Sequence, residues 1–229
     1  MARMESKNKK LGGSSEAKNA LVERAGKALA ILKRLYPCHG TALKHGSVFQ
    51  LSVAVILSAQ CTDAMVNIVA RELFKKLKSP EDFAAVPQGE LEKLIYSTGF
   101  YRAKAKNLRA MAKALLEKHD GTVPKTMGEL VKLHGIGRKT ANIILSEGYG
   151  IAEGIAVDTH VKRLSVRLGF SRGKTPERIE RDLMALLPKK DWGEVNGLLI
   201  MHGRGVCTAR KPKCAECVLN RICPSAFMF

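Results

Sequence analysis

Two cations follow a glycine-bracketed turn in the stretch LHGIGRKTA, residues 133–141: Arg138 and Lys139. The residues that follow, TANIILSEGYG, read as a helix, which places Lys139 in that helix's first turn. Helix starts expose N–H groups of partial positive charge, and cations are favoured at the other end. One reading makes Lys139 a phosphate-binding or solvated surface lysine. The other is that the chain needs a neutral amine at this place. An unperturbed lysine is neutral in only about 0.05% of molecules at neutral pH. The helix start, Arg138 and closure of a cleft would all raise that share. Such a placement suits a nucleophile.

An acid stands 19 residues further on, in AVDTHVKRL. Asp158 follows the small and apolar run GIAV, and it can cap the helix THVKRL while also serving as a catalytic carboxylate. His160 reads as a hydrogen-bonded structural histidine rather than a base. In the turn itself, Gly135 and Gly137 allow a tight reversal and close backbone approach to another molecule. Their N–H groups and the helix start can grip a phosphate oxygen without reading base sequence. A plain helix–helix hinge is the alternative.

The third constellation is CTARKPKCAECVLNRIC, with Cys207, Cys214, Cys217 and Cys223 spaced C-x6-C-x2-C-x5-C. Four cysteines so close together imply a shared metal centre. The spacing leaves zinc and an iron–sulfur cluster both open, although zinc knuckles usually carry two C-x2-C pairs and this stretch has one. Between the first two cysteines, TARKPK carries Arg210, Lys211 and Lys213, cations aimed at phosphate.

Composition narrows the partner. The chain of 229 residues has 39 Lys and Arg against 21 Asp and Glu, a formal charge of +18. A polyanion is the natural partner, either nucleic acid or an acidic membrane surface. The longest apolar patch, VFQLSVAVILSA (48–59), is too short to span a bilayer and is interrupted by Gln50 and Ser52. Nucleic acid is therefore the expected partner, with no membrane role. The N-terminus MARMESKNKKLGGSSEAKN lacks the apolar run of a signal peptide, and four of six cysteines crowd the C-terminus. Both point to a reducing, intracellular compartment.

The elements that must position these residues are helical. Apolar residues make up 45% of the chain and aromatics 5%, a balance that suits packed aliphatic helices. Three- and four-residue spacing predicts helices over 20–36, 62–78 and 101–119. The almost wholly apolar FQLSVAVILSA should be the central buried helix. Thr175 and Pro176 mark the start of another. No stretch alternates with period two over a convincing length, so the fold class is all-α. Residues 1–19 read as a short basic flexible tail.

Taken together, LSAQCTD, TGFYRAKAKNL, LHGIGRKTAN, AVDTHVKRL, HGR and the four cysteines, in that order, resemble the endonuclease III family of helix-hairpin-helix DNA glycosylases. The resemblance covers nearly the whole chain from about residue 20. It implies two all-α lobes with DNA in the cleft between them. One is a six-helix barrel over 41–152, with its helix-hairpin-helix at about 126–148; the other is discontinuous, 20–40 with 153–229. It further implies a mainly structural 4Fe–4S cluster on the cysteine loop, and Lys139 and Asp158 facing each other from the two lobes.

The implied activity is bifunctional: excision of oxidised pyrimidines from double-stranded DNA, then cleavage at the abasic site by β-elimination through a lysine Schiff base. The enzyme would act as a monomer. Gln60 matches the residue that fills the gap left by the flipped base, and Phe100 the position of an apolar wedge. Without the resemblance, the two read as a helix-terminal amide and an ordinary core phenylalanine. His134 stands where the family usually has proline, and Phe100 where leucine is common. Three rivals remain: a monofunctional glycosylase of the same superfamily, a non-catalytic DNA-binding protein with a structural metal, and an iron–sulfur electron carrier. The first typically lacks the lysine, the second leaves Lys139 and Asp158 as coincidences, and the third has no use for the charge or the hairpin.

Overall fold

The apolar run at 48–57 sets the architecture, because a helix without a polar face has to be surrounded. In the computed structural model it forms α2 (Val48–Leu57), with Phe49 and every residue from Leu51 to Leu57 buried. Its one buried hydroxyl, Ser52, is satisfied by donating to the Val48 carbonyl at 2.8 Å. The structure describes residues 2–37 and 40–229, with side chains from residue 17 onward. Among these residues every regular element is helical.

The chain divides into two compact units, Met1–His39 with Val157–Phe229, and Gly40–Ala156. In the second unit, α3 (Asp63–Lys76), α4 (Pro80–Ala85), α5 (Gln88–Ile95) and α6 (Tyr101–His119) follow α2. Short polar side chains start three of these helices. Ser47 accepts from the Gln50 N–H, Thr62 from Met65, and Ser79 forms a reciprocal capping box with Asp82 ahead of Pro80 at the first position. The apolar faces of α4, α5 and α6 then close on one core, where Phe49 meets Phe83 edge to face at 5.4 Å.

The hairpin region follows as α7 (Met127–Leu130) and α8 (Arg138–Ile143). The second helix departs from the expected plain helix. From Ile144 to Gly148 it widens into a π turn, and Gly148 lies so close to α2 that a Cβ there would meet Val48 Cγ1 at 2.9 Å. A wider turn with a glycine at its end lets this segment seat against the central helix.

In the first unit, α1 (Ala2–Leu35) takes in the backbone of the expected basic tail, whose side chains through residue 16 lie outside the described residues, as does Cys38. Ala25, Ala28, Leu29 and Leu32 bury one face of α1. That helix packs on α10 (Pro176–Leu186) and α11 (Trp192–Gly205), and α9 (Thr159–Arg167) packs on the same two helices. Thr175 caps α10 with Pro176 at its first position, as expected. Lys33 reaches across to Asp191 at 2.8 Å and Glu194 at 2.6 Å.

Candidate functional site

In the hairpin of the second unit, Leu133 and Ile136 point inward and are 4% exposed, while His134, Gly135, Gly137, Arg138 and Lys139 are all exposed. Apolar residues therefore pin the turn from beneath and present its backbone to solvent. The two glycines do different work. Gly135 has φ +80°, and a Cβ there would meet the Asn107 Cβ at 3.1 Å, so the fold itself requires glycine. Gly137 is extended (φ −91°, ψ 176°), caps α8 through its backbone alone, and has open space where a Cβ would be. The fold does not need glycine at 137. Close approach of another molecule would.

Lys139 occupies the second position of α8, exposed and beside Arg138, with no acidic residue in that first turn. Asp158 lies in the other unit, half-buried, as the N-cap of α9; its Oδ1 accepts from the Val161 N–H at 2.8 Å. The capping role is thus real, and it engages one carboxylate oxygen with the backbone. His160, two residues on, is held by Arg163, whose Nη2 lies 3.1 Å from its Nδ1. Burial lowers the His160 pKa, with Arg163 and Arg204 adding to that and Asp158 opposing it. This is the structural histidine expected.

Gln60 and Phe100 share an unusual backbone. Both are non-glycine residues in the left-handed region, at φ 52° and φ 48°, and both are exposed. Phe100 is 66% exposed, which rules out the ordinary core phenylalanine. Left-handed backbone at a bulky residue costs on the order of 1–3 kcal/mol and persists only where surroundings impose it. Both residues lie in the second unit, on turns next to α2 and α6.

The four cysteines of the first unit line a single cavity. Burial pushes the Cys217 and Cys223 thiols up, and the neighbouring cysteines add to this; backbone N–H groups of Leu219 and Ser225 pull the other way. Four thiolates can share such a space only around cationic metal. The sulfurs share the lining of this cavity with Val206, Pro212, Ala226 and Phe229. That arrangement fits a four-iron cluster held by Cys207, Cys214, Cys217 and Cys223, which would supply folding energy to the loop.

Residues to which the sequence reading gave no role hold this loop. Arg167, 9% exposed, donates from Nη1 to Cys207 Sγ at 3.3 Å and to the Thr208 carbonyl at 2.7 Å, and from Nη2 to the Ala209 carbonyl at 2.8 Å. Arg163 donates to the carbonyls of Gly203 and Cys207 at 3.0 and 3.1 Å. His202, 1% exposed, sets Nε2 3.3 Å from Cys217 Sγ and Nδ1 3.2 Å from the Tyr36 hydroxyl. The signal was present in α9, whose positions 160, 163 and 167 form a polar stripe at three- and four-residue spacing. Arg210 and Lys211 are exposed on the same loop.

The comparisons with known proteins agree with this arrangement. Residues 53–189 match the HhH-GPD superfamily of base excision DNA repair proteins, and residues 207–223 match the iron–sulfur binding domain of endonuclease III. The chain is 50% identical over 204 residues to endonuclease III of Synechocystis sp., covering 89% of this chain and 93% of that one. It is 49% identical over 190 residues to endonuclease III of Bacillus subtilis, covering 82% and 86%. A solved structure of a trapped endonuclease III–DNA covalent intermediate superposes with a TM-score of 0.85 at 42% identity, covering 90% of this chain and 96% of that one. The helical fold, the hairpin and the four-cysteine loop therefore have one explanation: the chain belongs to the endonuclease III family of base excision DNA repair proteins.

Proposed function

We propose that Lys139 is the amine nucleophile of this glycosylase and abasic-site lyase, and that Asp158 is its carboxylate partner. The enzyme acts on double-stranded DNA carrying damaged pyrimidines or abasic sites, and it carries a 4Fe–4S cluster. The reaction needs the damaged nucleotide out of the stack, because C1′ of its sugar is shielded within the duplex. The neutral amine of Lys139 attacks C1′. The C1′–N bond breaks, and its electron pair leaves with the base. Asp158 stabilises the positive charge that develops on the sugar, or takes the proton that the amine must shed. Ring opening gives a Schiff base. Loss of a proton from C2′ then expels the 3′ phosphate, and water returns the lysine.

The observation that carries this reading is the placement of Lys139. It is an exposed lysine at the cation-disfavouring end of a helix, directly after a hairpin whose Gly137 leaves room for a DNA backbone. In the same reading, the N–H groups at Gly135 and Gly137 hold phosphate, with Arg138, Arg210 and Lys211 adding charge. Gln60 and Phe100 enter the duplex around the vacated position. The division of labour follows the chain: 41–152 brings the hairpin and wedges, while 20–40 with 153–229 brings the cluster and Asp158. Unpaired cysteines at Cys61 and in the loop suit a reducing intracellular compartment.

Borohydride reduction during reaction with abasic or thymine-glycol DNA tests the assignment. Reduction of the imine joins protein to oligonucleotide as a band heavier than the free chain. Lys139→Gln should bind DNA, give no such band and excise negligibly, whereas Arg138→Gln should weaken binding and keep the band. A wild-type yield of trapped Lys139→Gln would move the chemistry to another amine.

A further inference from the structure

Lys104 is 4% exposed, although lysine is among the residues least often buried. Its Nζ donates to two main-chain carbonyls, Leu57 at 2.8 Å and Thr98 at 2.7 Å. Neither carbonyl is arbitrary. Leu57 is the last residue of α2, three before Gln60; Thr98 ends the 3-10 turn Tyr96–Thr98, two before Phe100. Carbonyls at such ends lack intrahelical partners and carry partial negative charge. The Lys104 backbone N–H also donates to the Phe100 carbonyl at 3.1 Å. One residue therefore ties down the segments leading into both left-handed positions.

We propose that Lys104 is a positioning residue that locks the turn carrying Gln60 to the turn carrying Phe100, so that both enter the duplex as one preformed unit. This rests on the reading of Gln60 and Phe100 as inserting residues. The physical need is specific. Two strained residues on segments far apart in sequence hold their conformations only if something over-determines them. A buried amino group with several donors can do this where an apolar side chain cannot, because without it both carbonyls would be buried and unpaired. Lys104 touches neither DNA nor the reacting atoms. It acts through the two turns.

Lys104→Met keeps the unbranched apolar stem and removes the donors. Two substrates separate positioning from general damage: a lesion in a duplex, where insertion is needed, and a single-stranded abasic oligonucleotide, where there is no stack to enter. Single-turnover excision from the duplex should fall about tenfold or more, while borohydride trapping on the single strand stays within about twofold. In a Gln60→Ala/Phe100→Ala background, Lys104→Met should add less than about twofold, because what it positions is gone.

If Lys104→Met does not fold by circular dichroism, Lys104→Gln, whose amide relieves the carbonyls but ends one atom short of the lysine Nζ, should show a smaller loss confined to the duplex substrate. Equal losses on both substrates, full additivity with the double variant, or unchanged duplex excision would each overturn the lock and leave insertion standing. If Gln60→Ala and Phe100→Ala themselves leave duplex excision at the wild-type rate, the insertion reading fails, and the lock falls with it.

Discussion

The hairpin at 133–139 and the cysteine loop at 207–223 both carry exposed cations and are both proposed to meet a phosphate chain, yet they are held in opposite ways. The hairpin is fixed by apolar side chains beneath it, Leu133 and Ile136, together with the glycine that Asn107 requires at position 135. It needs nothing beyond ordinary packing. In the cysteine loop, Leu219 is the sole buried apolar residue, and the rest is gripped by Arg163, Arg167 and His202. A loop with so little apolar anchorage cannot stand on the hydrophobic effect alone. It depends on its metal and on buried polar partners.

Removing a cluster ligand should break the contrast most completely. Cys214→Ser should lose the cluster and the visible absorbance that goes with it, and should unfold the C-terminal region. Lys139→Gln, in the hairpin, should melt as wild type does. Thermal denaturation of the pair, with iron and sulfide analysis, checks both. A Cys214→Ser protein of full stability would mean that the loop stands by packing after all. One zinc per chain in colourless wild-type protein would overturn the cluster.

Next in size is Asp158→Asn. Asparagine caps a helix about as well as aspartate, so α9 and the arginines it carries to the cysteine loop should stay in place. An amide neither accepts a proton nor stabilises a cationic sugar. Excision should fall about 10²–10⁴-fold while lesion DNA is still bound. Activity near wild type would leave Asp158 with the cap alone.

The contrast also explains what could be read from the chain. The longer helices were legible, because α2 is apolar all round and because Thr62, Asp158 and Thr175 are short polar residues placed just before periodic runs. The lysine, the acid and the cysteines stand out in the chain because their chemistry is unusual at that spacing, and the proposed roles start from them. Three things were hidden. Left-handed backbone at Gln60 and Phe100 has no compositional mark, since the usual signal is glycine. The π turn at 144–148 looks like continuing helix until the packing of Gly148 on Val48 is known. Lys104 and Arg167 look like surface cations, because their partners are carbonyls that only the folded chain brings near, 47 residues away for Leu57 and 41 for Thr208. Periodicity reports which residues are apolar. It does not report which long polar side chain turns inward.

Arg167→Met tests the polar grip directly. It keeps much of the side chain's volume but leaves two carbonyls and one sulfur without a donor. Hydrogen bonds from a charged group are worth about 1.5–3 kcal/mol each, and partial rescue by water should leave a loss of about 3 kcal/mol. Chemical denaturation should show that loss together with faster bleaching of the cluster. Unchanged stability would shift the support to Arg163 and His202.

In the hairpin, Gly137→Ala should do the reverse. The added methyl meets nothing in the protein, so the melting temperature should hold, while affinity falls about tenfold, or 1.4 kcal/mol, for all DNA sequences alike. Gly135→Ala should instead lose stability, because φ +80° and the Asn107 wall both oppose it. If Gly137→Ala destabilises the fold or weakens one sequence selectively, the phosphate role of the turn is wrong.

The smallest effect belongs to Lys211, and it asks whether the cysteine loop touches DNA at all. Lys211 is exposed, and its carbonyl, not its amine, ties the loop together by accepting from the Thr208 hydroxyl at 2.7 Å. Alanine keeps that carbonyl, so Lys211→Ala should leave the cluster and the stability intact. Each phosphate contact contributes about 0.9 to the fall of log K per decade of salt, through release of a condensed cation. The salt slope of Lys211→Ala should be shallower by about that amount, with affinity loss uniform across sequences. An unchanged slope would confine the loop to holding its cluster, and the hairpin alone would then carry the phosphate contacts that these two regions are proposed to share.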